Sequence, residues 1–169
     1  MMLIVISGLP GSGKSTLAGG LAARLRAPVL SVDPIESALL EAGIERSWET
    51  GLAAYLVAQT CADEFLAAGL DVIIDAVSAV EAARAMWRTL AARHDAQLRV
   101  VECVLDRTEA ARRLAIRSRG LAMGEPSVAD VRARASEWTP WDEPHLVIDA
   151  ADDREANLGD TLAWLRATP

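Results

Sequence analysis

Short apolar runs alternate with longer segments of helical period along the chain. Met2–Ile6 is apolar and stops at Gly8-Leu9-Pro10-Gly11-Ser12-Gly13. From Lys14 to about Arg26, leucines recur every four residues at 17, 21 and 25, which predicts a helix. Pro28 opens a short strand over Val29–Val32. Asp33-Pro34-Ile35-Glu36 then has the residues of a helix start, with Asp at N-cap, Pro at N1 and Glu at N3. A helix from about Trp48 to Ala68 is closed by Gly69, and a strand over Leu70–Ile74 ends at Asp75. Ser78-Ala79-Val80-Glu81 has the form of a capping box for a helix to about His94. Strand-like Leu98–Leu105 precedes a helix from about Thr108 to Ser118 and a loop over 120–127. A helix over Val128–Trp138, a strand over His145–Ile148, and a last helix capped by Asp152 with Glu155 complete the pattern. The last helix carries Leu158, Leu162 and Leu165 on one face. Strands alternate with helices, and most strands are apolar almost throughout, as in a parallel sheet covered on both faces.

Composition narrows the class. With 169 residues, 51% hydrophobic and 24% charged, the chain has the balance of one globular domain, expected over 1–169. Its net charge of −7 argues against gripping long nucleic acid or an anionic membrane. Cys61 and Cys103 lie in apolar periodic segments, as buried reduced thiols do, which favours the cytoplasm. Met1–Ser7 lacks the basic start of a secretory leader. No apolar run approaches the ~18 residues of a membrane span. Of 17 basic residues, Lys14 is the sole lysine, so its place needs a local reason.

The neighbourhood supplies one. Gly8-Leu9-Pro10-Gly11-Ser12-Gly13-Lys14-Ser15 matches the P-loop pattern at every fixed position, between a predicted strand and a predicted helix. Glycines let the loop turn its N–H groups onto phosphate oxygens, and the helix aims its positive end there. The expected nucleotide-binding set is Gly8, Pro10, Gly11, Ser12, Gly13, Lys14, Ser15 and Thr16. Lys14 reaches the β- and γ-phosphates, and the Ser15 hydroxyl ligates Mg²⁺. Asp75, an acid at the end of an apolar strand, is the second expected magnesium residue.

The class of nucleotide protein follows by exclusion. A guanine-specific switch needs Asn-Lys-x-Asp, and the only Asn (Asn157) and only Lys (Lys14) are far apart. The length leaves no room for the helical lid domain of a ring ATPase. What remains is a small phosphotransferase or, less favoured, a stand-alone hydrolase.

The P-loop, Asp33 after the second strand, the acid-terminated third strand and an Arg-rich helix after the fourth together carry a resemblance. The chain resembles the small P-loop kinases grouped with chloramphenicol phosphotransferase, polynucleotide kinases and zeta-toxin-like kinases, short AAA-type ATP-binding proteins. The resemblance implies an α/β P-loop fold with a five-stranded parallel sheet in order 2-3-1-4-5 and a short Arg-rich lid. It implies that Asp33 activates the acceptor hydroxyl. It also implies that lid arginines neutralise charge during transfer.

Arg112, Arg113, Arg117 and Arg119 span about 160° of one helical face, and Arg113 and Arg117, one turn apart, are the expected catalytic pair. Glu36 stands where the family often has an arginine, so a cation is missing and the acceptor is expected to be neutral or cationic. Trp48 and Tyr55 are candidates to line the acceptor pocket, though core packing is the plainer role for each. Trp138 and Trp141 are candidates to flank adenine or to cover the sheet.

The expected activity is transfer of the γ-phosphate of ATP, with Mg²⁺, to a small-molecule hydroxyl. Lys14, Asp33, Arg113 and Arg117 are the catalytic residues, and nucleic acid and membrane are not expected partners. The rival readings are a kinase of polynucleotide or RNA ends and a non-kinase ATP-binding regulator or ATPase.

Overall fold

The computed structural model describes residues 1–167, so the last two residues of the expected domain lie outside the described region. In chain order the elements are β1 (Met2–Ser7), α1 (Lys14–Leu25), β2 (Val29–Ser31), α2 (Val32–Glu41), α3 (Trp48–Ala67) and β3 (Val72–Asp75). They continue with α4 (Glu81–Arg93), β4 (Gln97–Val104), α5 (Arg107–Ile116), α6 (Val128–Ser136), β5 (His145–Asp149) and α7 (Arg154–Arg166). The five strands form one sheet in the expected order β2-β3-β1-β4-β5, and every pairing is parallel.

Alternation along β1 builds two cores. Leu3 and Val5 face α3 and α4, where Ala54, Ala58, Ala62, Leu66, Trp87 and Leu90 are buried. Ile4 and Ile6 face α1 and α7, against Leu17, Leu21, Leu158 and Leu165. Both faces of the sheet are covered, which is why its strands are apolar almost throughout. In α3 the residues buried every fourth position are mostly alanine, so a long helix lies close to the sheet. Parallel pairing directs the carboxyl ends of all five strands to one edge, where sites in open α/β sheets form.

Three expected helix starts are corrected. The second helix begins at Val32 directly off β2, with Ser31 at N-cap, so Asp33 lies within the first turn and does not cap it. The reason is that Ser31 Oγ donates to Asp75 Oδ2 at 3.0 Å, tying the strand end to β3, while the Asp33 carboxylate turns to Arg119. Ser78 is no capping residue. It sits at φ 49°, and α4 starts from Val80 without a side-chain cap. Its polar groups serve the core instead: its N–H donates to Tyr55 Oη, its carbonyl takes Arg84 Nε, and its Oγ takes Trp87 Nε1. In the last helix Asp153, one residue beyond Asp152, accepts the Ala156 N–H at 2.9 Å. The helix after β4 also ends early, at Ile116, so Arg117 is extended and Arg119 lies in the loop.

Candidate functional site

Between β1 and α1 the chain makes a tight loop. Gly8 has φ 145°, and a Cβ there would stand 2.3 Å from the Cys103 carbonyl oxygen. Gly13, at φ 84°, is the N-cap of α1 without a side-chain cap, leaving the first-turn N–H groups of the helix turned to the loop. Lys14 is buried and its Nζ donates to the Leu9 carbonyl at 3.2 Å, so the ammonium lies over its own loop. Burial lowers its pKa, and the charges of Asp75 and Asp33 oppose that shift. The Ser12 hydroxyl is buried without a partner among the described residues, and Ser15 and Thr16 are exposed at the helix start. A backbone of this form with an orphaned hydroxyl and a compensated lysine is built to receive an anion.

Two carboxylates act on the loop lysine, one from the end of β3 and one from the first turn of α2. Asp75, buried at the end of β3, pairs in register with Ile6 of β1 and Ser31 of β2. It and the Ser15 hydroxyl are an all-oxygen donor set suited to Mg²⁺, which keeps several waters and phosphate oxygens of its own. Asp33 enters from the first turn of α2. Burial works to raise its pKa, but the Lys14 charge and the Arg119 hydrogen bond outweigh it and hold the carboxyl below its ordinary value. Among the described residues no group of three or more His, Cys, Asp or Glu forms a metal cluster.

The arginines are distributed differently from expectation. Arg113 donates to Glu109 at 2.9 Å and to the Ala150 carbonyl at 3.0 Å. It borders a groove with Ser12, Gly13, Thr16, Ala150 and Asn157, beside the loop on the β5 side. Arg117 instead pairs with Glu125, and its charge is felt at Lys14. The helix that was to hold them one turn apart ends between them, and each is engaged by a different glutamate. Arg119 bonds Asp33, an ion pair across 86 positions of sequence that no local pattern announces.

Glu36 is buried one turn after Asp33. Burial raises its pKa, while the charges of Arg134 and Arg46 oppose the rise. The side of Glu36 therefore holds cations that come from elsewhere in the chain, Arg134 and Arg46. Tyr55 is engaged with Ser78, and Trp48 is 74% exposed. Trp138 and Trp141 lie over the Arg84 guanidinium, at 5.3 and 4.3 Å; Trp138 also borders a groove with Gly8, Leu9, Pro10 and Ser12, and Trp141 Nε1 donates to Ser7 Oγ at 3.3 Å. Cys103 lies behind the P-loop, its thiol pushed up to about 12 by burial.

The family model described as "AAA domain" matches residues 3–137, from β1 through α6. The chain belongs to this AAA-domain family. An uncharacterised protein of Mycobacterium tuberculosis is 31% identical over 168 residues, covering 93% of the chain and 33% of that protein. The chain thus spans about a third of the length of the curated relatives it matches. Among solved structures, a candidate kinase of Chloroflexus aurantiacus superposes with TM-score 0.80 at 24% identity, over 98% of this chain and 96% of that one. A sugar kinase of Janibacter gives 0.75 at 20%, over 100% and 96%. APS kinase of M. tuberculosis, in complex with AMPPNP and APS, gives 0.72 at 21%, over 98% of each chain. These likenesses show that the fold is that of P-loop kinases.

Proposed function

We propose that the protein is an ATP- and Mg²⁺-dependent phosphotransferase that moves the γ-phosphate to a hydroxyl of a small molecule. The observation that carries this reading is the meeting of Asp33 and Lys14. A carboxylate from the start of α2 stands within electrostatic reach of the P-loop lysine, on the side of the loop away from the Arg113 groove. A nucleotide-hydrolysing switch needs no such base from this strand edge, whereas a kinase needs one for the incoming hydroxyl.

In this reading the loop amides and Lys14 bind phosphate, and Gly8, Pro10, Gly11, Ser12, Gly13, Ser15 and Thr16 shape the cradle. Ser15 and Asp75 hold Mg²⁺, which supplies charge neutralisation when bound. Ser31 orients the Asp75 carboxylate through its hydroxyl. Asp33 accepts the acceptor proton. Arg113 holds the nucleoside end of ATP, and Arg117, released from Glu125, meets the transferring phosphate. Sugar and APS kinases among the structural neighbours support a small-molecule acceptor. Among the described residues no helix is long and apolar enough to cross a membrane.

The test is a panel of hydroxyl compounds, read by ATP consumption and by product mass. The expected result is Mg²⁺-dependent gain of one phosphoryl group by one chemical class of small molecule. Tight nucleotide binding with no transfer to any acceptor would favour a regulator, and efficient labelling of oligonucleotide 5′ ends would favour an end kinase.

A further inference from the structure

The segment between α5 and α6, residues 117–126, crosses the start of α2 and is fastened to it. Arg119 Nη1 donates to Asp33 Oδ2 at 2.9 Å. The Ala122 N–H donates to Ser37 Oγ at 2.8 Å, and Arg46 Nη1 reaches the Met123 carbonyl at 3.5 Å. Within the strap, Glu125 takes Arg117 Nε at 2.8 Å, the Arg119 N–H at 2.9 Å and Arg119 Nε at 3.3 Å. The Arg119 side chain is 20% exposed and that of Asp33 32%. The arginine is therefore a half-sheltered bolt, held behind by Glu125 and in front by Asp33.

The contact leaves one donor of the guanidinium unpaired. Arg119 Nη2 is buried and finds no hydrogen-bond partner among the described residues. A buried donor without an acceptor is costly, so the closed arrangement leaves part of the guanidinium unsatisfied. A ligand oxygen arriving at Asp33 would supply what Nη2 lacks, and the same arrival competes for the Asp33 oxygen that Arg119 now occupies.

We propose that Arg119 is a positioning residue that latches the strap onto Asp33 and keeps this carboxylate from serving water until an acceptor hydroxyl displaces the guanidinium. The inference rests on the kinase reading and adds a gate to it. Without a gate, water itself is an acceptor. Its oxygen forms the new bond to the γ-phosphorus, the bond from that phosphorus to the β–γ bridging oxygen breaks, and the electron pair leaves on ADP. The water proton passes to Asp33, and inorganic phosphate is the second product. A carboxylate engaged by a guanidinium is a poorer proton acceptor, so the latch suppresses this loss while the site waits.

The test needs no acceptor. Mg²⁺-ATP hydrolysis is measured at saturating ATP on the wild-type chain, Arg119→Met, Arg119→Lys and Ser37→Ala, each alone and with Asp33→Asn. A fluorescent ATP analogue gives the nucleotide Kd, and hydrogen exchange follows the Ala122 amide. The expected result is acceptor-free hydrolysis raised up to ~10-fold in Arg119→Met, a part of the ~10²–10⁴ that a general base contributes. Arg119→Lys restores the low rate, and Asp33→Asn removes the gain. Ser37→Ala, one turn along α2 from Asp33 and outside the Arg119–Asp33 contact, gives a smaller rise with faster exchange at Ala122. Unchanged or lower hydrolysis in Arg119→Met with wild-type nucleotide affinity would overturn the latch and leave the kinase reading standing. Failure of the wild-type chain to bind the analogue at all would overturn the kinase reading, and the latch with it.

Discussion

Lys14 shows how a single residue can be placed against its own comfort. Burial lowers its pKa and only the neighbouring carboxylates relieve it, so the charged ammonium costs the fold something in the absence of phosphate. Lys14→Met is therefore expected to leave thermal stability unchanged or higher. It should weaken ATP binding by ~10–100-fold, the worth of a hydrogen bond to a charged group; calorimetry of binding beside a melting curve checks both. Asp33 carries the second expectation. Because it lies inside the first turn of α2, Asp33→Asn keeps an oxygen for Arg119 and removes no cap. The stability cost is expected to stay within ~1 kcal/mol, as for a partly exposed ion pair near a helix start. Turnover with the acceptor found by the panel should fall ~10²–10⁴-fold; near-normal turnover in a folded Asp33→Asn would remove Asp33 from the role of base. The P-loop was legible because its backbone requirements write themselves into residue types at fixed spacing. The partner of Asp33 was not, since Arg119 is one of many arginines and the contact is made by a loop folding back over the site.

Elements obey the periodicity of the chain more closely than their ends obey capping patterns. The strands and the major helices stand within a few residues of where alternation and leucine spacing put them, because burial against one sheet decides them. Ends failed where a polar side chain had a better tertiary partner: Asp33 serves Arg119, and Ser78 serves Trp87. Ser127, by contrast, has no such competitor and forms a full capping box with Asp130 at the start of α6. Tertiary partners also hold α4, through Arg84. Arg84 is 1% exposed, and its guanidinium donates to the carbonyls of Ser78, Ala79 and Pro140 and lies against Trp138 and Trp141. It ties the segment following Asp75 to the chain returning from α6 to β5. Arg84→Met keeps much of the volume but leaves those carbonyls without their donor. We expect a loss of about 3 kcal/mol, a Tm drop of ~6–12 °C in a chain of this size. A Tm within about 2 °C of wild type would show that water takes the donor's place.

At the scale of the whole molecule, charge and fold meet in the pH dependence. Several carboxylates are held below their ordinary range in the native state. Asp33 and Glu125 are lowered by their cationic partners against the opposing effect of burial, and Glu109 is held to about 2 by its bonds to Arg112 and Arg113. Each contributes stability that is present above its unfolded pKa, near ~4, and is lost as pH falls through its folded value. Glu36 works in the other direction, since burial raises it; protonating it relieves the fold as pH falls through that raised value. Stability is therefore expected to hold or rise slightly from pH 7 to about 5 and to fall below about 4, where the Glu36 contribution is already complete. The loss should not be uniform. Asp33 and Glu125 hold the strap at both sides of Arg119, whereas β1 and β3 are held by apolar burial that acid does not touch. Hydrogen exchange at pH 3.5 and 5.5, corrected for intrinsic rates, should show the amides of Arg119 and Ala122 losing protection before those of Ile4 and Ile73. Simultaneous loss in strap and sheet would mean that the strap is part of the global folding unit. It would then not be an element that these two carboxylates hold shut.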